Sequence, residues 1–292
     1  MVLAESHEKE TMRKKFYDGT VKGFAKAAYK FKQAVSIVPT SAWINYFWRE
    51  DPDVIGELPG NATKGIPRLA DFPSGGTTFE RVSSVIEKYG REDTISWEDL
   101  ISDDVDVRDR TLMRVAERVT KSVDDEIWSV LTENQTVSQI QSISIATELQ
   151  AWNEASAAVI DDLLQAKQLI EVKNYPTDNL MAFVSPRDYR SMMNYLYEKG
   201  AQAPRVGEGI VGNGSQGSIA GINIIVSNSV TASYALVVVP KRCATWKEMV
   251  PLTTITKEDP LKSLTIRSVE MGVTQLTDPK ACVLIIGTEG AI

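Results

Sequence analysis

The sequence predicts an α+β fold whose domains are discontinuous along the chain. Predicted strands and helices are interspersed, and one amphipathic helix near the middle is unusually long. We expect strands late in the sequence to return to sheets that began earlier, which is typical of an α+β architecture with discontinuous domains. A chain of 292 residues is long enough for one large core or two modest domains, and no internal repeat is visible.

The first segment of the chain is basic, whereas the rest is acidic. Eight basic residues against Glu10 and Asp18 give a local charge balance of +6 between Lys9 and Lys32, within a chain of net charge -7. A basic arm with interspersed aromatic residues could bind a polyanion or lie across an acidic neighbour. An amphipathic helix with a solvated lysine face is an equally good interpretation.

A long hairpin follows the arm. Trp43 to Trp48 has the aromatic composition of a strand, and a second, charged strand begins at Thr78 and leads to Gly90. The intervening Asp51 to Gly76 is dense in proline and glycine. A loop of about 25 residues is too long to be buried in its own compact domain. A partner subunit is the simplest reason for it.

The next element is a long amphipathic helix from about Asp103 to Leu131. Acidic residues at its start suit N-capping and the positive end of the helix dipole. Its length of some 26 residues corresponds to a rod of about 39 Å. Apolar residues recur at spacings of three or four and form one stripe: Leu112, Val115, Val119, Val123, Ile127, Val130 and Leu131. Such a helix is typical of an extended, interlocking subunit, although a long core helix of an α+β enzyme is the alternative.

The remaining elements alternate between helix and strand. A second amphipathic helix covers Ala155 to Val172, a buried strand covers Leu180 to Val184, and Ser185-Pro186 begins a helix that ends near Lys199. A glycine-rich loop, Ala201 to Gly217, comes next. Further strands are predicted at Ile222 to Val226, Ala235 to Val239, Leu264 to Leu276 and Ala281 to Ile286.

Few residues suit catalysis or metal binding. His7 is the only histidine, which excludes Ser-His-Asp and Cys-His catalysis and most zinc sites. The G-x-G-x-x-G pattern at Gly207 to Gly212 follows a helix instead of a strand, so it does not predict a dinucleotide site. Cys243 and Cys282 lack a CxxC spacing and fit a reducing compartment. No apolar stretch approaches the length of a membrane span. We therefore predict no enzyme activity, no cofactor, no metal and no membrane contact.

Taken in order, these elements resemble the major capsid proteins of tailed bacteriophages, which have the Hong Kong 97 fold. The resemblance is carried by the hairpin, by the acidic lead into a spine helix and by three later stretches: Phe183 to Pro186, Gly217 to Asn228, and Ser263 to Leu284. It covers nearly the whole chain from about residue 10. It implies an N-terminal arm (1–42), an extended loop (43–90), a peripheral domain with the spine helix (91–151), an axial domain (152–240) and a return segment shared by both domains (241–292).

The resemblance also implies a function and a set of partners. Copies of the chain would form pentamers and hexamers of an icosahedral virion shell around double-stranded DNA, after assembly in the host cytoplasm. A separate scaffolding protein, a portal and a decoration protein are the further partners considered. The candidate interface residues are Lys14, Lys15, Lys22, Lys26, Lys64, Arg68, Glu80 and Arg81. An encapsulin-type cellular compartment is the alternative within this fold, and a soluble enzyme is the alternative outside it.

Overall fold

The structure is a computed structural model that describes residues 29–50, 68–69, 79–102, 107–145, 150–154, 156–199 and 217–289. Four helices lie within this part of the chain: α1 (Trp97–Ser102), α2 (Val107–Leu131), α3 (Val159–Val172) and α4 (Pro186–Lys199). The strands are β1 (Ser36–Pro39), β2 (Ile44–Glu50), β3 (Phe79–Val85), β4 (Glu87–Ser96), β5 (Gln141–Ser144), β6 (Leu180–Val184), β7 (Ser218–Ile219), β8 (Ile222–Val226), β9 (Tyr234–Val238), β10 (Ala244–Asp259), β11 (Ser263–Leu276) and β12 (Cys282–Ile286).

A four-stranded sheet in the order β1-β10-β11-β4 supports the long helix α2. The strand β11 runs antiparallel to both β10 and β4, while the short β1 runs parallel to β10. The apolar stripe of α2 faces inward: Leu112, Val123 and Ile127 are fully buried, and the polar residues of the opposite face are exposed. The predicted amphipathic helix is therefore confirmed over 107–131, whereas its acidic lead at 103–106 lies outside the described residues.

A six-stranded sheet in the order β5-β12-β9-β6-β8-β7 forms the second layer, and α3 packs on its β5, β12 and β9 strands. The predicted inward residues of α3, Val159, Leu163, Ala166 and Ile170, are all buried. The start of α4 is capped as predicted, since Ser185 Oγ accepts the Asp188 N–H at 3.0 Å and donates to its carboxylate at 2.9 Å. Reciprocal bonds of this kind satisfy the free N–H groups of a helix start.

One side chain from the N-terminal segment joins the two layers. Phe31 is fully buried, its ring stacks on Phe183 of β6 with centroids 4.2 Å apart, and it lies 5.5 Å from the ring of Trp128 on α2. Aromatic pairs at such distances add about 0.5–1.5 kcal/mol beyond the area that they bury. The end of the predicted arm is therefore part of the subunit core.

The structure departs from the predicted elements around the four-stranded sheet. The strand expected from Thr78 to Gly90 is two strands, β3 and β4, which belong to different sheets and are separated at the buried Ile86. The 16-residue β10 has no counterpart among the predicted strands. It contains Pro251, and its register with β11 shifts between Glu248 and Thr253. These irregularities remove the regular alternation on which the prediction of a strand depends.

Candidate assembly surface

A two-stranded ribbon built from β2 and β3 presents an exposed apolar face. The strands pair antiparallel, with Ile44 opposite Val85 and Trp48 opposite Arg81. Because side chains alternate across a strand, every second residue of β2 points to the same face. Ile44, Tyr46 and Trp48 on this face are 53%, 59% and 62% exposed, and Val85 is 60% exposed. An exposed apolar face of this kind indicates a contact surface.

The charged residues of the ribbon have partners within the subunit. Arg49 donates from Nη2 to the Glu80 carboxylate at 2.7 Å, and the Arg81 guanidinium lies 4.1 Å from the centroid of the Tyr46 ring. The sequence predicts ion pairs between subunits for Glu80 and Arg81. Those inter-subunit pairs stay a prediction, and within the subunit each of the two groups already has a partner. The Glu80 side chain is 62% exposed and Arg81 is exposed as well, so both side chains are accessible to a neighbouring copy.

The base of the ribbon is fixed to the subunit body. Ser84 Oγ on β3 accepts a hydrogen bond from Gln275 Nε2 of β11 at 2.6 Å, and the Ile86 amide donates to the Trp43 carbonyl at 3.0 Å. Ile86 itself is buried, and β4 then continues into the four-stranded sheet. The ribbon therefore leaves the body in a defined direction.

Most of the other predicted interface residues lie outside the described part of the chain. This applies to Lys14, Lys15, Lys22, Lys26 and Lys64. Arg68 lies in a described turn and is exposed. Their proposed contacts therefore remain predictions.

A buried ionic cluster, which sequence reasoning missed, anchors the N-terminal segment. The Lys32 ammonium lies 2.5 Å from a Glu270 carboxylate oxygen on β11 and 3.0 Å from a Glu248 oxygen on β10. The Tyr29 hydroxyl also donates to Glu270. Burial, followed by the charge of Glu270, raises the pKa of Tyr29, so this hydroxyl stays protonated and remains a donor. Lys32 is thus held inside its own subunit, and the interpretation of a fully solvated lysine face is wrong at this residue.

Asp124 of α2 makes a second anchor for the same segment. Its carboxylate accepts the backbone N–H of Lys30 at 2.7 Å, and only 4% of the residue is exposed. Burial raises the pKa of Asp124 to about 6. The helical spacing could have revealed this residue, because Asp124 lies three residues before Ile127 and seven before Leu131, which both belong to the apolar stripe.

The described residues offer no site for metal chemistry, since no group of three or more His, Cys, Asp or Glu side chains converges there. Cys243 and Cys282 are both fully buried, and burial raises the pKa of Cys243 to about 12. A thiol with so high a pKa is a poor nucleophile at neutral pH. Helices long and apolar enough to cross a membrane are likewise absent from the described residues. The glycine pattern at 207–212 and His7 lie outside those residues.

Comparison with known families identifies the chain. A family model described as a phage capsid protein matches residues 80–285, which is more than half of the sequence. The chain belongs to this phage capsid protein family. The matched range begins in β3 of the ribbon and ends in β12, so it includes both sheets and α2. No curated protein matches the sequence.

Solved structures with the same fold include phage capsids. The capsid of cyanophage P-SCSP1u has a TM-score of 0.64 and 13% identity, over 89% of this chain and 88% of that chain. The structure of Mycobacterium phage Che8 has a TM-score of 0.61 and 13% identity, over 89% of this chain and 92% of that chain. A virus-like particle from Pyrococcus furiosus has a TM-score of 0.63 and 10% identity, over 93% of this chain and 98% of that chain. The prediction of a Hong Kong 97-type α+β capsid fold is confirmed. The five-part domain division stays a prediction.

Proposed function

We propose that this phage capsid protein is the major capsid protein of a tailed phage, which assembles through pentamers and hexamers into an icosahedral shell around double-stranded DNA. The proposal rests chiefly on the exposed apolar face of the β2–β3 ribbon. Burying residues such as Tyr46 and Trp48 against a neighbour would stabilise each contact by about 1–2 kcal/mol per side chain, given that each is already partly covered. Repetition around a closed shell multiplies this contribution.

The proposed role is structural and not enzymatic. The only histidine of the chain is His7, both cysteines are buried, and the described residues hold no converging ligand set. An enzyme would need an accessible nucleophile, general base or metal ion in its active site. The net charge of -7 also argues against sequence-specific DNA binding. The shell would therefore enclose DNA without recognising its base sequence.

The proposed partners are other copies of the chain, a portal and a separate scaffolding protein, with a decoration protein as a further candidate. One structure of the same fold, with a TM-score of 0.53, is the procapsid of satellite phage P4 with its size determination protein. That neighbour supports the idea that a separate protein directs assembly here. Assembly in the host cytoplasm and residence in the virion follow from the proposal.

Electron microscopy of the purified protein tests the proposal, together with a change on the ribbon. The double substitution Tyr46→Ser and Trp48→Ser should leave the subunit folded, with an unchanged circular dichroism spectrum, and should abolish closed shells. Val172→Ser provides the matched control, because Val172 is 63% exposed at the end of α3, away from the ribbon. Deleting residues 53–74 should have the same effect as the ribbon double substitution. Normal shells from either ribbon variant would overturn the proposed contact.

The contents of the shell decide between the capsid and the encapsulin-type compartment. The virus-like particle from Pyrococcus furiosus shares the fold at 10% identity, which shows fold alone. Particles isolated from the native source should contain double-stranded DNA. Particles that instead enclose a protein cargo and no DNA would favour the cellular compartment.

A further inference from the structure

The side of α2 that faces away from the four-stranded sheet changes character along the helix. From Asp124 onward, the segment that contains Lys30 and Phe31 covers the helix: the Lys30 N–H binds the Asp124 carboxylate, and the Phe31 ring lies against Trp128. In the first half of the helix, the side chains on this side are exposed. Over the described residues, the first half of α2 is therefore open to a partner.

Basic residues form a stripe along this open half of α2. Positions 110–121 contain four basic residues and one acidic residue, so the stretch carries a net charge of +3 within an acidic chain. The basic residues recur at spacings of three or four, which places them on one side of the helix over a length of about 16 Å. All four are exposed, and their side chains make no ion pair within the described residues; this basic stripe consists of Arg110, Arg114, Arg118 and Lys121.

The spacing of these charges is unfavourable for the helix by itself. Arg114 lies four residues from both Arg110 and Arg118, and like charges at this spacing destabilise a helix. A solvated helix face usually alternates basic and acidic residues, which then attract each other. Glu117 is the only acidic residue among positions 110–121. The stripe is therefore better explained by an anion outside the subunit than by the stability of α2.

The chemistry of the stripe favours phosphate groups as that anion. A guanidinium group binds phosphate through two parallel hydrogen bonds, and three of the four cations are arginines. Double-stranded DNA carries one charge per about 1.7 Å of its axis, so a stripe of about 16 Å can meet several phosphates in any register. An acidic surface on a folded neighbour would instead need carboxylates at matching positions. The net charge of -7 means that most of this chain repels DNA, which leaves a local concentration of cations as the favourable point of contact.

We propose that the basic stripe of α2 is a contact site for the phosphate backbone of double-stranded DNA, and that the α2 side of the four-stranded sheet faces the inside of the shell. The other face of the sheet then faces outward. It carries Lys88 and Lys257, whose register partners on β11, Met271 and Thr265, alternate with the buried residues that face α2. The inference rests on the proposed function for the source of the DNA, but unassembled subunits can test the binding itself.

The affinity of unassembled, full-length subunits for DNA measures the contact. Fluorescence anisotropy with a labelled duplex of about 20 base pairs gives the binding constant between about 0.05 and 0.2 M NaCl. The triple variant Arg110→Gln, Arg114→Gln and Arg118→Gln removes three charges and keeps good helix formers. Each lost phosphate contact lowers the slope of log K against log salt by about 0.9, so we expect a slope less steep by about 2–3. The affinity at about 0.1 M NaCl should fall at least about tenfold.

Two control variants separate the stripe from the net charge of the subunit. Lysine in place of the same three arginines keeps the charges and should keep most of the slope. The variant Lys88→Gln, Lys257→Gln and Lys262→Gln removes three exposed charges elsewhere, and it should change the slope by less than about 1. Circular dichroism should show that all three variants are folded. A glutamine variant of the stripe that binds DNA like the wild type, or no worse than the lysine-to-glutamine control, would overturn the proposal.

Cross-linking of native particles tests whether the contact exists inside the shell. Formaldehyde should join the Lys121 ammonium group to DNA, and mass spectrometry after nuclease digestion should find nucleotides on peptides that include Lys121. DNA-filled particles whose cross-links all lie elsewhere would overturn the proposal and leave the proposed function intact. Particles without DNA would contradict the proposed function, and the affinity of the subunits would then decide on the stripe.

Empty shells distinguish DNA from an acidic surface on a neighbouring copy. If the stripe binds DNA, the triple glutamine variant should still form empty shells that electron microscopy can count, while its affinity for DNA is reduced. A variant that keeps its affinity for DNA but no longer forms empty shells would assign the stripe to a neighbouring copy. That result would overturn the proposal.

Discussion

Replacing Lys32 with methionine tests whether the buried ionic cluster anchors the N-terminal segment. Only 10% of the Lys32 side chain is exposed, and its partner Glu270 is fully buried. Methionine has a similar length and fills the same space, so the main change is the loss of the positive charge. Removing one partner of a buried ion pair leaves the other charge uncompensated and costs about 3–5 kcal/mol. That is a large part of a typical stability of about 5–15 kcal/mol.

A second substitution separates the loss of charge from the loss of packing. Adding Glu270→Gln to Lys32→Met removes the stranded negative charge, while the glutamine oxygen can still accept the Tyr29 hydroxyl. Glu248 is 22% exposed and can remain hydrated. The double variant should therefore recover most of the stability that the single variant loses, and a double-mutant cycle gives the coupling energy between the two residues.

Urea unfolding of unassembled subunits at pH 7, followed by circular dichroism, is the assay. Lys262→Met is the control, because Lys262 is 78% exposed and lies 3.8 Å from Asp259 in a surface pair. This control should change the free energy of unfolding by less than about 0.5 kcal/mol. A loss below about 1 kcal/mol for Lys32→Met, or a double variant as unstable as the single one, would refute the reasoning.

Three further predictions concern packing, pH and the ribbon. Gly272→Ala would place a Cβ 2.4 Å from the Trp246 ring and 2.8 Å from a backbone oxygen, so overpacking should lower the free energy of unfolding by at least about 1–3 kcal/mol in urea titrations, and an unchanged midpoint would contradict it. Burial raises the pKa of Asp188 from 3.8 to about 6. The stability that protonated Asp188 contributes is therefore present below pH 3.8 and is lost as the pH rises through about 6. The free energy of unfolding of Asp188→Asn, relative to that of the wild type, should be higher at about pH 7.5 than at about pH 3.5, by up to about 3 kcal/mol. A difference that does not vary with pH would contradict this assignment. Arg81→Glu removes the cation over Tyr46, and we expect it to lower the yield of shells more than the solubility of subunits; equal losses in sedimentation assays would argue against an interface role.

The sequence predicted elements whose residues follow a regular period. The long helix, the hairpin pairing as far as Val85 and the helix start at Ser185 all have local signals, and each is confirmed over the described residues. The strand β10 was missed because its bulges and Pro251 break the alternation. Glu270 could have been found, since Leu264, Ile266 and Ser268 share its inward face in alternate positions along β11.

Contacts between distant segments could not be predicted in the same way. The stacking of Phe31 on Phe183 depends on how two sheets meet, and no local pattern in either segment indicates its partner. The ionic cluster has the same character, since Lys32 stood within a run of lysines that otherwise suggested a solvated or partner-binding arm. Because Lys32 is buried beside Glu270, it is an anchor within the subunit and not part of a solvated face. Amino-acid composition alone does not show which lysine of such a run is buried.

One strand links the anchor of the N-terminal segment to the base of the ribbon. Glu270, which holds Lys32, and Gln275, which binds Ser84, both lie on β11. The sheet therefore fixes the position of the anchored residues Tyr29 and Lys32 relative to the base of the apolar ribbon. If both elements contact neighbouring copies, as we propose, their fixed relation to each other limits the geometries in which copies can join. On this argument, Lys32→Met should disturb assembly by releasing the basic segment even where the ribbon itself keeps its place.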